Sequence, residues 1–150
     1  MGEVYFIPQE LIEQILAHLQ ENLPQEACGL LGGKDHTFES WIPIPNVLKS
    51  PTRYRMEPDS QLKAFLYFEE NQKDLLGIVH SHPTGPDKPS QTDLKEAYYP
   101  EAIYFIFYRT DEQWQYKAFR INHNQYEAVE INTLKQPIIK KGVSSTEKGL

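Results

Sequence analysis

Cysteine is nearly absent from this sequence: Cys28 is the single one in 150 residues. No internal disulfide can form, and no thiolate-rich zinc site can be built. Any metal would have to be held by histidine and carboxylate, a ligand choice more common in catalytic than in structural sites. Long apolar runs are missing too, since none approaches the ~20 residues that span a bilayer. The N-terminal stretch MGEVYFIPQELIEQ is acidic where a signal peptide would be basic, and no apolar h-region follows. Phe6 stands where a myristoylation signal needs Ser or Thr. These absences lead us to expect a cytoplasmic chain with no membrane partner. Basic excess is lacking as well, with 15 Lys and Arg against 21 Asp and Glu and a net charge of −6. Four of the lysines fall at or after Lys135, so the acidity is concentrated in the body. An acidic body lacks a phosphate-backbone footprint, so no nucleic-acid partner is expected, and it suits a partner with a basic face.

What is present fits one domain with a real core. PQELIEQILAHLQENLP, residues 8–24, reads as a helix with Leu11, Ile12, Ile15, Leu16 and Leu19 at helical spacing. DSQLKAFLYFEENQ, residues 59–72, reads as a second helix, capped by Asp59 or Ser60, with Leu62, Phe65, Leu66 and Glu69 on one stripe. ACGLLGG and HTFESWIPIPNV read as strands. LLGIVHSH and AIYFIFYR are continuous apolar runs that suit central strands buried on both faces. QWQYKAFRIN and QYEAVEIN alternate as an antiparallel meander. The fold class expected is α/β, a mixed sheet flanked by helices, over residues 1–136, followed by a basic and poorly anchored tail over residues 137–150.

The chemistry concentrates in GIVHSHPTGPDKPSQTD, residues 77–93. On a strand, His80 and His82 point to the same face and can converge on one ion, while Ser81 points away. A short His-x-His is also compatible with two ordinary polar residues at a strand end. The Pro- and Gly-bearing loop can reverse the chain and return Asp93, in the first turn of a third helix, to the strand end. Two imidazoles and a carboxylate would leave zinc a fourth position. Asp93 is equally compatible with a helix-start carboxylate. Ser90 fits an N-cap better than a site-facing hydroxyl on spacing alone. Glu26, before a buried apolar run, is either a surface glutamate or a general base, and spacing does not choose. His18, His36 and His123 read as surface histidines. A nucleobase deaminase would need His-x-Glu and two clustered cysteines, and the chain has neither.

Taken together, His80-x-His82-Pro83, Ser90, Asp93 and the upstream Glu26 in EACGLLGG resemble the JAMM (MPN-plus) metalloprotease signature of short prokaryotic members. The resemblance extends over about residues 5–132, and a full signature is far more specific than a lone motif. It implies the JAMM fold, related to cytidine deaminases, with His80, His82 and Asp93 as ligands of Zn2+. It implies Glu26 as the base and then the acid, and Ser90 as the group that steadies the tetrahedral intermediate. The implied activity is cleavage of a peptide or isopeptide bond after the C-terminal glycines of a ubiquitin-like or sulfur-carrier protein of the ThiS/MoaD type. A homodimer is left open. The alternatives are a non-catalytic MPN-type scaffold, which would have lost the ligands, and a RadC-like DNA-associated protein, which would carry an additional helical DNA-binding segment. Cys28 reads as a small buried hydrophobe. A Gly-Gly tail binds best as an added strand, so an open sheet edge beside the metal is expected.

Overall fold

The computed structural model describes residues 2–135; the expected basic tail, residues 137–150, lies outside them. The elements run β1 (Val4–Pro8), α1 (Gln9–Glu21), β2 (Cys28–Lys34), β3 (Thr37–Ile44), α2 (Pro58–Glu70), β4 (Asp74–His82), α3 (Gln91–Lys95), β5 (Ile103–Thr110), β6 (Gln113–Asn122) and β7 (Gln125–Leu134). The strands form one mixed sheet in the order β1-β3-β2-β4-β5-β6-β7, which closes because β1 also pairs in parallel with β7. β4 and β5 are parallel, and β5, β6 and β7 form the expected meander. Three hairpins turn on two residues in the left-handed region: Asp35-His36, Asp111-Glu112 and His123-Asn124. Positive φ at both central residues gives the twist that two-residue hairpins need. His36 and His123 are therefore turn residues.

The strand β1 is not visible in the sequence pattern, because five residues ending in proline carry little alternation to read. Its burial nevertheless alternates, with Tyr5 and Ile7 inside. Pro8 ends it and starts α1, whose Leu11, Ile12, Ile15 and Leu19 are buried as the helical spacing predicts.

α2 departs from expectation twice. Its cap is Glu57, whose carboxylate accepts from Ser60 N at 3.0 Å and Asp59 N at 3.2 Å. Pro58 causes this, since it has no N–H to satisfy and its fixed φ opens the helix one residue earlier. The buried stripe is Ala64 and Phe68, while Leu62 and Leu66 are 56% and 49% exposed. Gly32 explains the choice of face. A methyl built there would lie 2.5 Å from the Phe68 ring, so the glycine is the seat that Phe68 occupies on the sheet.

Two apolar clusters line the two faces of the sheet, and β4 contributes to both. Val79 packs on the α1 side and Ile78 on the α2 side. By the two-residue period, His80 and His82 join Ile78, and Ser81 joins Val79. β4 is paired with β5 as far as His82 and with β2 as far as His80, which lies opposite Cys28 on one side and Ile106 on the other. The expected open edge beside the ligands is therefore reduced to the β2 side of His82, past the Ser81 N–Ala27 O bond. The next edge belongs to β3, which meets β1 only at Thr37 and lies two strands from β4.

Leu19, fully buried, and Leu66, half exposed on α2, give a direct check of the packing. Leu19→Ala should cost about 2–5 kcal/mol of unfolding free energy in urea titrations. Leu66→Ala should stay within about 0.5 kcal/mol.

Candidate active site and metal centre

The histidines reach the site because they are alternate residues at the end of a central strand, and Asp93 reaches it because of a cap. The chain leaves β4 at His82, turns through Gly85 at φ +77°, and re-enters at α3. Ser90 is the N-cap: Asp93 N donates to Ser90 Oγ at 2.9 Å, and Ser90 N donates to Asp93 Oδ2 at 2.9 Å. The reciprocal bonds hold the Asp93 carboxylate toward the strand end. There, Oδ2 lies 3.1 Å from both His80 Nε2 and His82 Nε2, and those nitrogens are 3.1 Å apart. The structure thus brings together all three residues that the spacing singled out. His80 is 2% and His82 4% exposed.

The donor set fits a cation. His82 Nδ1 lies 2.8 Å from Pro86 O, and a carbonyl only accepts, so Nδ1 carries the proton. In the neutral ring, His82 Nε2 then presents a lone pair toward a carboxylate oxygen and another imidazole nitrogen. Three donor atoms facing one point at this spacing match the roughly 3.3 Å between ligands of a tetrahedral ion with ~2.0 Å bonds. Electrostatics prepare that state at His80 and Asp93, whereas His82 is biased toward its charged form, a proton that a bound cation would displace. Burial lowers the His80 pKa and favours the neutral ring. Burial also pulls His82 down, but its bonds to Asp93 and Pro86 outweigh that and raise it. Burial pushes Asp93 up, yet the two imidazoles and the Ser90 amide hold it well below the usual carboxylate range. A neutral imidazole beside an ionised carboxylate is what a divalent ion requires.

Glu26 sits in the turn between α1 and β2. It is 4% exposed, so it is not the surface glutamate that spacing allowed. Its Oε1 is buried with no hydrogen-bond partner among the described residues. Burial pushes its pKa up to about 8; the His82 charge opposes this and the Asp93 charge adds to it. Its neighbour Ala27 is clamped to β4, with Ala27 N donating to Ser81 Oγ at 2.8 Å and Ser81 N donating to Ala27 O at 3.0 Å. The residue between the two histidines thus fixes the segment that carries the glutamate.

Two supporting groups at the site were not evident from sequence. Tyr54 stacks on His80 with ring centroids 4.5 Å apart, and it also lines an adjoining cavity of about 260 Å³ over Leu30 and Ile78. Pro86 supplies the carbonyl that orients His82. His18 is half-buried rather than free on the surface, with Nε2 3.1 Å from Cys28 O, because α1 lies against the start of β2. Cys28 is fully buried, and burial pushes its thiol up to about 12, as a packing residue rather than a nucleophile.

Residues 8–122 match the family model described as prokaryotic homologs of the JAB domain. The chain belongs to this family. It is 40% identical over 111 residues to the probable TtuB-protein conjugate cleaving protease of Thermus thermophilus, covering 73% of each protein. It is 32% identical over 140 residues to the CysO-cysteine peptidase of Mycobacterium tuberculosis, covering 90% of this chain and 96% of that one. A Desulfitobacterium hafniense protein solved in solution superposes with a TM-score of 0.80 at 32% identity, covering 89% of this chain and 94% of that one. The JAB-domain chain is accordingly a hydrolase of the peptidase type. No helix among the described residues is long and apolar enough to cross a membrane.

The buried Glu26 carboxyl has a consequence for stability. Its folded pKa is raised from 4.5 to about 8, so between those values the unfolded chain releases a proton that the metal-free fold retains. The penalty grows as pH rises through that window. Glu26→Gln removes it, so the variant should gain on the order of 2–4 kcal/mol over the parent by pH 8 and little near pH 4.5. Urea unfolding in chelator across this range measures the gap.

Proposed function

We propose that this JAB-domain chain is a zinc-dependent peptidase that cuts the bond after the C-terminal glycines of a ubiquitin-like or sulfur-carrier protein. His80, His82 and Asp93 are the zinc ligands, Glu26 the general base and acid, and Ser90 the donor to the scissile carbonyl. The observation that carries this reading is the convergence of three ligand atoms, each 3.1 Å from the other two, within the electrostatic reach of a buried glutamate. The relatives named for TtuB-protein conjugates and for CysO-cysteine support the substrate class, and the acidic body suits a basic carrier face.

When bound, zinc supplies Lewis acidity, polarising a carbonyl and bringing the pKa of water near ~7. The chain does the rest. Glu26 takes the proton of the attacking water and returns it to the departing nitrogen, and its raised proton affinity suits both steps. Ser90 Oγ accepts from Asp93 N through a lone pair, so its hydroxyl hydrogen stays free to donate to the oxygen that gains charge. Capping and catalysis therefore use different parts of one hydroxyl. Glycine at the cut bond lets the tail approach a narrow cleft without a side chain in the way.

The test is incubation of zinc-loaded protein with ubiquitin-like carriers bearing a C-terminal extension, read by mass. A product ending at the terminal glycine, abolished by chelator, is expected. Glu26→Gln should retain zinc and lower kcat about 10²–10⁴-fold, whereas His82→Ala should lose zinc in a metal-competition assay. Undiminished cleavage by Glu26→Gln would contradict the mechanism.

A further inference from the structure

The segment joining β3 to α2 has no regular secondary structure, yet it is tightly organised around one side chain. Asn46 Nδ2 donates to Glu26 O at 2.9 Å and to Arg53 O at 3.0 Å. Its Oδ1 accepts from Leu48 N at 3.0 Å and from Arg55 N at 3.0 Å. An asparagine amide has two N–H donors and two acceptor lone pairs, and all four are used. The identity of the partners fixes the orientation of the amide, since two are carbonyls and two are N–H groups. The bond to Leu48, two residues on, is a local turn that asparagine commonly makes. The bonds to Arg53 and Arg55 close the segment on itself, and the bond to Glu26 crosses to the turn between α1 and β2. Val47 N donates to Arg55 O at 2.9 Å, and Glu26 N donates to Ser50 O at 2.8 Å, so the glutamate is held from both sides of its own backbone by this segment.

The two residues gripped at 53 and 55 flank Tyr54, whose ring lies on His80 at 4.5 Å. One amide therefore spans the base and the stacking partner of a ligand histidine. Glu26 Oε1 has no hydrogen-bond partner among the described residues, so the aim of this carboxyl depends on its backbone and on packing. Fixing that backbone is the means the chain has of fixing the carboxyl.

From this we infer that Asn46 is a positioning residue for the reaction, holding Glu26 and Tyr54 in register across the metal centre through its four hydrogen bonds. It touches neither substrate nor metal, and its effect passes through Glu26. The kinetic consequence rests on the peptidase reading above; the structural one does not.

Asn46→Asp separates the two halves of the bracket. The oxygen that replaces Nδ2 faces two carbonyls and cannot donate, while the other oxygen can still accept from Leu48 and Arg55. The local turn survives and the tie to Glu26 is cut. In the zinc-loaded full chain, exchange of the Glu26 amide followed by NMR should quicken at least about tenfold, with the amides of Ile103–Phe107 unchanged. With a cleaved carrier as substrate, kcat should fall about 10–100-fold, and KM and zinc affinity should stay within about twofold. Unchanged Glu26 exchange would overturn the inference. So would unchanged kcat despite faster exchange, or a parallel loss of kcat, KM and zinc affinity, which marks general loosening. If Asn46→Asp does not fold, Asn46→Ser, which keeps a short hydroxyl, takes its place, and failure of both to fold makes the role structural and overturns the inference. If the parent protein cleaves no carrier, the peptidase reading fails, and the exchange measurement alone decides whether the bracket exists.

Discussion

A single carboxylate oxygen joins the parts of this protein that matter for chemistry. Asp93 Oδ2 accepts from the Ser90 amide at 2.9 Å and lies 3.1 Å from each of two imidazole nitrogens. The first contact belongs to a helix cap and the others to the proposed metal centre. Because α3 spans only Gln91–Lys95, it has little intrinsic stability of its own. The cap gives it a defined start, and the strand end gives the cap a reason to point inward. Loss of either would leave the other without a fixed partner.

That junction imposes conditions on the rest of the fold. Both imidazoles must leave β4 on one face, which a continuous central strand provides. Pro86 must present its carbonyl to His82, which requires the tight return through Gly85. Glu26 must be brought beside the ligands from far along the chain, and the β2–β4 register, with Cys28 opposite His80, does this. The cost is a buried carboxyl oxygen, Glu26 Oε1, without a hydrogen-bond partner among the described residues, an unfavourable feature for folding and a favourable one for the proton exchange near neutral pH that we propose for this group.

Much of this was legible in the residues. The period-two placement of His80 and His82 and the helix-start position of Asp93 made the convergence possible, and the resemblance of the full set with Ser90 and Glu26 made it a specific expectation. The core strands were legible from their apolar runs. The sequence did not reveal features decided by tertiary neighbours. β1 is too short to declare itself. The buried face of α2 depends on the seat left by Gly32, and Pro58 moves the cap to Glu57. Asn46 and Tyr54 act across an irregular segment whose register no periodicity encodes. The strand edge expected beside the ligands shrinks to the end of β4 because β5 pairs it through His82 and β2 pairs it through His80.

The ligand set itself can be read directly by X-ray absorption at the zinc edge of the loaded protein. Two imidazoles at about 2.0–2.1 Å with oxygen donors completing a four-coordinate shell are predicted. A sulfur shell near ~2.3 Å, or a third imidazole, would contradict the assignment of His80, His82 and Asp93 as the whole protein contribution.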